Sequence, residues 1–367
     1  MKIYCSRSDL NKSLNNVSHS VPSRTTSHIL EGILMEINNG EMKLTATDTT
    51  ITIESVIKVD CTENCSFVVP AKLFSSIVAK LPEDEVLIEY NNEKNKINIR
   101  CGGSNAEIVC FAADEFPKIK LDEGHDRILL SKESVKKIIR KTAFSASSDD
   151  FNGILTGVLL QIKDGNMKMV AVDPFRIATY NVEVDNDKDI SVIIPAKLAT
   201  DVAKIISDDG EDVISIEIVD KKVIFLFDNN KVVINTFSGK YIDYERILNK
   251  EGDISVRIQR DSLLKSIDRA SLLTSVQNNN LIKFNIEDDI IVLKSLSEEG
   301  NIEEKIEVIK EGENLLIGLN SKYLKDVLSA IEDEEIIMNF KDQISPCIIK
   351  PLKGDKFKYL VLPIRIN

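Results

Sequence analysis

Three observations predict an α+β fold of long, mostly antiparallel strands and few helices, written three times along the chain. The stretch SFVVPAKLFSSIVAKL at 66–81 returns as SVIIPAKLATDVAKII at 191–206, which places Pro70 and Pro195 125 positions apart. NNGEMKLTATD around Gly40 returns as KDGNMKMVAVD around Gly165 at the same distance, carrying Asp48 onto Asp173. Phe116 in DEFPKI falls on Tyr241 in KYIDYERI by the same step. Three markers sharing one period identify internal repeats. One further step from Pro195 reaches Asn320 in LLIGLNSKYLKDVLSAI, where the proline is lost but the apolar strand before it and the helical spacing after it persist. Lys72, Lys197 and Lys322 fall in one column, each two residues into its helix. Around Asp289 the third copy keeps only its apolar alternation.

Within the first copy, a short strand KIYC leads into a helix over 8–19, with Leu10, Leu14 and Val17 on one face. Alternating segments HILEGILMEIN, EMKLTATD, TITIESVIKV and CSFVV follow, separated by polar turns such as Asn38-Asn39-Gly40. Pro70 opens a second helix over 70–81, and Pro82 closes it. EVLIEY, KINIRC and AEIVCFA complete the unit as strands. The second copy predicts helices over 131–143 and 195–206, the third over 260–273 and 320–331. The expectation is three domains, 1–122, 123–251 and 252–367, each of about eight mostly antiparallel strands and two helices. Linkers fall near KIKLDEGHD and NKEGD.

The chain of 367 residues has room for three such domains, and 43% apolar content beside 29% charged residues suits a folded core in water. No apolar run approaches the ~18 residues a membrane span needs. MKIYCSRSDL carries no apolar core of a secretory signal. Cys5, Cys61, Cys65, Cys101, Cys110 and Cys347 form no CxxC, and His19, His28 and His125 show no ligand spacing to them. Reduced thiols in the cytoplasm, without structural zinc or other cofactor, are expected.

A net charge of −12 argues against a polyanion partner until its distribution is read. The six predicted helices hold 15 basic and 6 acidic residues, net +9, so the remainder carries −21. Lysine suits helices, but glutamate suits them nearly as well and is almost missing from these. A shared basic helical face fits phosphate contacts without sequence information. Trp is absent, and Phe74 and Tyr323 are the only aromatics on those helices, so stacking on single-stranded bases is not expected.

Geometry sets the number of copies. Six helices packed at ~10 Å around a ring leave a hole of about 10 Å. Twelve leave about 28 Å, enough for a duplex roughly 20 Å across. Two chains joined head to tail would supply twelve helices and pair every sheet edge.

At this point the sequence resembles the bacterial DNA polymerase III beta subunit family, the sliding clamps, from Met1 to Arg365. The likeness is carried by VPSRTT at 21–26, LTATD at 44–48, VVPAKLF at 68–74 and DEFP at 114–117. It continues through ILTGVLL at 154–160, AVDPFRIA at 171–178, LNSKYLKDVL at 319–328 and YLVLPIRI at 359–366. The resemblance implies a homodimeric ring around duplex DNA, without chemistry of its own. Such a ring would be loaded by an ATP-driven loader, and would tether the replicative polymerase as well as repair and other polymerases that carry clamp-binding peptides. It implies a bacterial, cytoplasmic, nucleoid-associated protein and a DNA-backbone contact at Arg24. The charge count adds Lys72, Lys136, Lys137, Arg140, Lys141 and Lys197.

A hydrophobic peptide pocket is also implied, with walls from Leu155, Val172, Phe175, Arg176, Ile177, Ile242, Ile247, Tyr323, Ile344, Pro346, Leu360, Leu362, Pro363, Ile364 and Arg365. An apolar C-terminal tail with no strand partner of its own would form its groove. Phe175 stands where the family often has a polar aromatic or histidine, and Ile242 where it often has proline. At the dimer contact Ile108 would meet Leu272 and Leu273. Lys96 or Arg100 would face Glu298, Glu299, Glu303 and Glu304, and Ala106 takes a place where an aromatic is common. SSDD at 147–150 is acidic, so no DNA contact is assigned there, and Asn367 extends past the usual terminus.

Two other classes remain open at this stage. No GxxxxGK[ST] occurs, and DNDKD at 185–189 lacks the glycine and final glutamate of a calcium loop. No histidine is placed beside a nucleophile, which leaves a metal-dependent nuclease built from scattered carboxylates as the enzyme alternative. A protein-only scaffold would keep the pocket but give the basic helices no role.

Overall fold

The computed structural model of the protein describes residues 1–117, 127–186, 188–274 and 279–366. The expected linker at 118–126 with its His125, Asp187 in the DNDKD turn, and Asn367 lie outside the described residues. The chain divides into two compact units, Met1–Lys132 with Lys204–Thr236, and Glu133–Ala203 with Phe237–Asn367. That division follows the sheets, because sheets run across the joints between repeats.

In the first unit, the 60–61, 2–6, 85–91, 96–101 and 104–109 strands form a five-stranded sheet in that order. A nine-stranded sheet holds 111–112, 65–70, 32–38, 41–47, 51–58, 230–235, 222–227, 214–219 and 127–130. The second unit has a nine-stranded sheet of 190–195, 157–163, 166–172, 176–183, 357–361, 347–351, 335–340, 254–259 and 309–311. Its four-stranded sheet runs 300–307, 290–297, 281–287 and 315–320. Neighbours pair antiparallel throughout the described strands, as the alternation predicts. The segment HILE, expected as strand, is a 3-10 turn at His28–Glu31, and the strand starts at Gly32.

Six helices lie where the 3.6-residue spacing put them: α1 Arg7–Ser18, α2 Ala71–Lys80, α3 Lys132–Arg140, α4 Ala196–Ile205, α6 Arg260–Ser271 and α7 Ser321–Ala330. A short α5, Tyr244–Leu248, was not expected. Its start is chemical: the Asp243 side chain accepts from the Arg246 N–H. Leu10, Leu14 and Val17 of α1, and Phe74 and Val78 of α2, are buried, and α1 packs on α2 and on the 51–58 strand. The opposite helical faces carry the column of Lys72, Lys197 and Lys322, all exposed.

The repeat markers have physical causes. The Asp48 carboxylate accepts from the Thr50 and Ile51 N–H groups, both at 2.8 Å, and Asp173 accepts from Phe175 and Arg176 at 2.8 and 2.9 Å. Each aspartate therefore closes a strand-to-strand turn. In the third repeat Ser297 takes that place and accepts from the Glu299 N–H at 3.2 Å. Gly40 and Gly165 adopt φ of 82° and 71°, the left-handed conformation that a two-residue hairpin turn requires.

The missing third proline is replaced by an equivalent device. Pro70 enters α2 with φ −60° and ψ 111°, and Asn320 enters α7 with φ −77° and ψ 116°. Where the proline ring fixes φ, the Asn320 side chain accepts from the Tyr323 N–H at 3.2 Å and donates to the Asn279 carbonyl at 2.8 Å. Asn320→Ala is expected to destabilise the protein by about 1 kcal/mol, the usual worth of an N-cap, and Asn320→Asp to retain most of it. Urea unfolding of the two variants checks this.

Candidate partner pocket, nucleic-acid face and pairing edges

The second unit gathers six of the fifteen expected pocket residues onto one apolar cluster. Val172, Ile177 and Leu360 are buried beside Leu159, Val170, Ile193, Tyr241, Tyr244, Leu248 and Ile348, with Leu155, Ile242 and Leu362 packed against them. Burial there is secured by the Tyr241 hydroxyl, which donates to the Gly157 carbonyl at 3.0 Å. Ile247 of α5 stays partly exposed at the edge. Sequence reasoning missed Tyr244 and Leu248, although the ERIL run after Asp243 carried a helix signal.

A second group centres on Arg176. Its guanidinium donates to Asp173 at 2.9 Å, to Asp326 at 2.5 Å and to the Phe144 carbonyl at 2.7 Å, and it lies 4.6 Å from the centre of the Tyr323 ring. Arg176 is therefore a buried pillar that fixes Tyr323, with three of its five donors used. Phe175 stacks on Tyr323 with ring centres 6.0 Å apart and remains 53% exposed. Ile344 is 70% exposed on the turn that Asp342 closes, and Pro346 is half-buried beside it.

The C-terminal tail differs from expectation. Residues 357–361 form a strand paired on both sides, the Leu362 N–H donates to the Phe175 carbonyl at 2.9 Å, and the Ile364 N–H to the Gly318 carbonyl at 2.8 Å. The tail has partners because backbone groups beside a core must be bonded. Leu360 thus belongs to the core, while Leu362, Pro363 and Ile364 are half-buried and Arg365 is exposed.

The expected DNA contacts separate by environment. Arg24, Lys72, Arg140 and Lys197 are exposed. Lys136 is half-buried with a contact of its own. Lys137 and Lys141 are paired within the chain. Both ammonium groups bond to Glu332, at 2.7 and 2.8 Å, and Lys141 is buried. At position 141 the helical register turns the side chain inward, so its cation ties α3 to the segment after α7 and is closed to phosphate. Burial lowers the Lys141 pKa, the hydrogen bond to Glu332 raises that of Lys137, and the two lysines hold Glu332 down to about 2.

At the expected copy-to-copy contact, Leu272 is 77% exposed and Leu273 half-buried, but Ile108 is already buried on the inner face of its own sheet. Strand alternation turns Val109 outward instead, at 57% exposure. Lys96 bonds to Glu107, Arg100 to Glu89, Glu303 to Lys294, and Glu304 points inward to Arg269. Glu304 is therefore not the acid that a facing cation would meet, whereas Glu298 and Glu299 are exposed.

Three strand–helix repeats with exposed cations on the helices and an apolar cluster beside the C-terminal strand define a clamp-type replication protein. The family description "DNA polymerase III beta subunit" matches in three parts: the N-terminal domain over 1–120, the central domain over 129–243 and the C-terminal domain over 245–365. The beta sliding clamp of Staphylococcus epidermidis is 34% identical over 363 residues, 96% of each chain. The solved DNA polymerase sliding clamp of Bacillus subtilis is 30% identical, with a TM-score of 0.96 over 100% of both chains. A solved structure from Eubacterium rectale is 35% identical, with a TM-score of 0.94 over 99% of both. The chain belongs to the DNA polymerase III beta subunit family, the bacterial sliding clamps. It is a non-catalytic processivity factor, which sets the nuclease alternative aside.

The Glu332 pair supplies a pH test. Because its folded pKa is depressed, its contribution is present above the ordinary carboxylate value of 4.5 and is lost as pH falls towards about 2. Glu332→Gln should lower the melting temperature at pH 7, and the gap to the unaltered protein should close near pH 2. A melting series across that range measures it.

Proposed function

We propose that two copies of this chain close head to tail into a ring that encircles duplex DNA, opened by an ATP-driven loader, and that the ring works in the bacterial cytoplasm at the nucleoid. The three repeats, 1–122, 123–251 and 252–367, would be its six domains. One observation carries the reading. Among the described residues two sheets have nine strands, and the others have five and four. The five-stranded sheet ends on the 104–109 strand and the four-stranded one on 300–307. These are the counterparts of the strands that join repeats elsewhere: 51–58 with 230–235, and 176–183 with 357–361.

Both joints use the same register. Ser55 faces Asn230 as Tyr180 faces Phe357, and Ile53 faces Val232 as Ala178 faces Tyr359. Carried to the open edges, that register sets Glu304 opposite Ser104, Ile302 opposite Ala106 and Gly300 opposite Ile108. A Cβ added at Gly300 would sit 3.8 Å from Leu273 Cδ1, so a residue opposite Gly300 on that face comes close to Leu273, which would bring Ile108 over Leu273. On the outer face, Arg100 and Asn105 would share a row with Glu303, and Lys96 and Val109 a row with Glu299. Cations would thus meet acids across the joint, and the 104–109 and 300–307 edges would both be paired.

The exposed Arg24, Lys72, Arg140 and Lys197, with Lys136, would contact the DNA backbone. The pocket would take partner peptides of the replicative polymerase, the loader and repair polymerases: Leu155, Val172, Ile177, Ile242, Ile247, Leu360 and Leu362 hold one anchor. Phe175, Tyr323, Ile344, Pro346, Pro363, Ile364 and Arg365 form the approach, and Arg176 supports it. A scaffold that never meets DNA would lack a use for the helical cations.

Retention on closed circular DNA separates these readings. After loading, the protein should stay with the circle through gel filtration and leave when the circle is cut once. Retention that survives linearisation, or no retention with loader and ATP present, would contradict the ring.

A further inference from the structure

The outward face of the third repeat carries a groove of about 470 Å³ lined by Leu281, Lys283, Lys294, Leu296, Arg365 and Ile366, with Glu303 at its rim. It shares only Arg365 with the pocket above. Strand pairing identifies its counterpart in the second repeat. Leu281 pairs with Asn320 as Gly157 pairs with Pro195, and Lys283 with Lys294 as Leu159 with Val170. Lys283, Lys294 and Leu296 therefore occupy the places of Leu159, Val170 and Val172. In the second repeat those three side chains lie in one buried cluster with Tyr241, Tyr244 and Leu248. In the third, Leu296 stays 74% exposed, and lysines stand where two of the three apolar residues were.

The charge of the groove selects its occupant. Lys294 is bonded to Glu303 at 3.0 Å, whereas Lys283 and Arg365 make no ion pair among the described residues. Two unneutralised cations thus flank an apolar floor on a molecule of net charge −12. A long polyanion such as nucleic acid would gain only two phosphate contacts here and would leave the apolar floor unused. A short acidic segment with one apolar anchor matches both the floor and the cations, and the volume suits a ligand of a few residues. The proposed pairing with a second copy would add that copy's bonded Lys96 and Glu107 beside Asn301, and its Arg100, bonded to Glu89, in the row of Glu303, which brings no unpaired negative charge to the groove.

We propose that this groove is a second peptide-docking site, which takes a partner segment bearing a leucine-sized side chain flanked by carboxylates. The side chain would rest on Leu281, Leu296 and Ile366, and the carboxylates on Lys283 and Arg365. The groove lies wholly within one unit, so the proposal stands apart from the ring reading.

The test is fluorescence anisotropy of a fluorescein-labelled peptide, Asp-Asp-Leu-Glu-Leu-Asp-Asp, titrated with the full-length protein. Saturable binding is expected, weakened about tenfold or more by Leu296→Asp and by Lys283→Glu, and unchanged by Phe175→Ala in the other pocket. Leu296 is exposed, so its replacement leaves the fold intact, and retention of Leu296→Asp on circular DNA should equal that of the unaltered protein. No binding at millimolar protein, binding indifferent to Leu296→Asp and Lys283→Glu, or loss on Phe175→Ala alone would overturn the proposal.

Discussion

An unpaired sheet edge is the constraint on which this architecture depends. A row of free N–H and C=O groups must be paired, covered or charged, or it pairs with whatever arrives. Inside the chain the constraint is met twice by one arrangement: the third strand of a repeat's first strand group joins the last strand of the next repeat. Each joint extends a sheet to nine strands. The 104–109 and 300–307 strands are the two ends that the chain cannot bring together for itself. The head-to-tail ring proposed here follows from that remainder.

The same economy governs the helices. Each repeat spends its helical apolar face on its own sheets and leaves the other face for lysine and arginine, while acidic residues collect elsewhere. Net charge of the whole molecule therefore says little about its partner, and charge per element says more. Where a helical cation falls on the inward side, as at Lys141, the fold neutralises it with Glu332 and uses it to hold two repeats together.

Much of this was legible in the sequence because it is local. A period of 125 residues, the helical spacing and the turn residues Asp48 and Asp173 each act within a few positions of themselves. Asn320 shows the limit of pattern matching: the letter changed, but the function of starting a helix did not. The inward turn of Glu304 and the paired C-terminal strand were hidden. Each depends on which distant strand lies alongside, which periodicity does not report. Of the pocket, the apolar wall could be read from the resemblance. The use of Arg176 as a pillar could not, because its partner Asp326 is 150 residues away. The groove on the third repeat became visible only when the repeats were compared through their strand pairing.

The most direct measurement of the edge-pairing account is disulfide trapping of its register. Asn105→Cys and Glu303→Cys in one chain place thiols on directly opposed, outward-facing positions of two copies, within the ~4.4–6.8 Å Cα separation a disulfide spans. Mild oxidation should convert the protein to a covalent, closed dimer on a non-reducing gel, while Asn105→Cys with Glu304→Cys, one residue out of register, should remain monomeric. Efficient trapping of the shifted pair, or none of the aligned pair, would contradict the account.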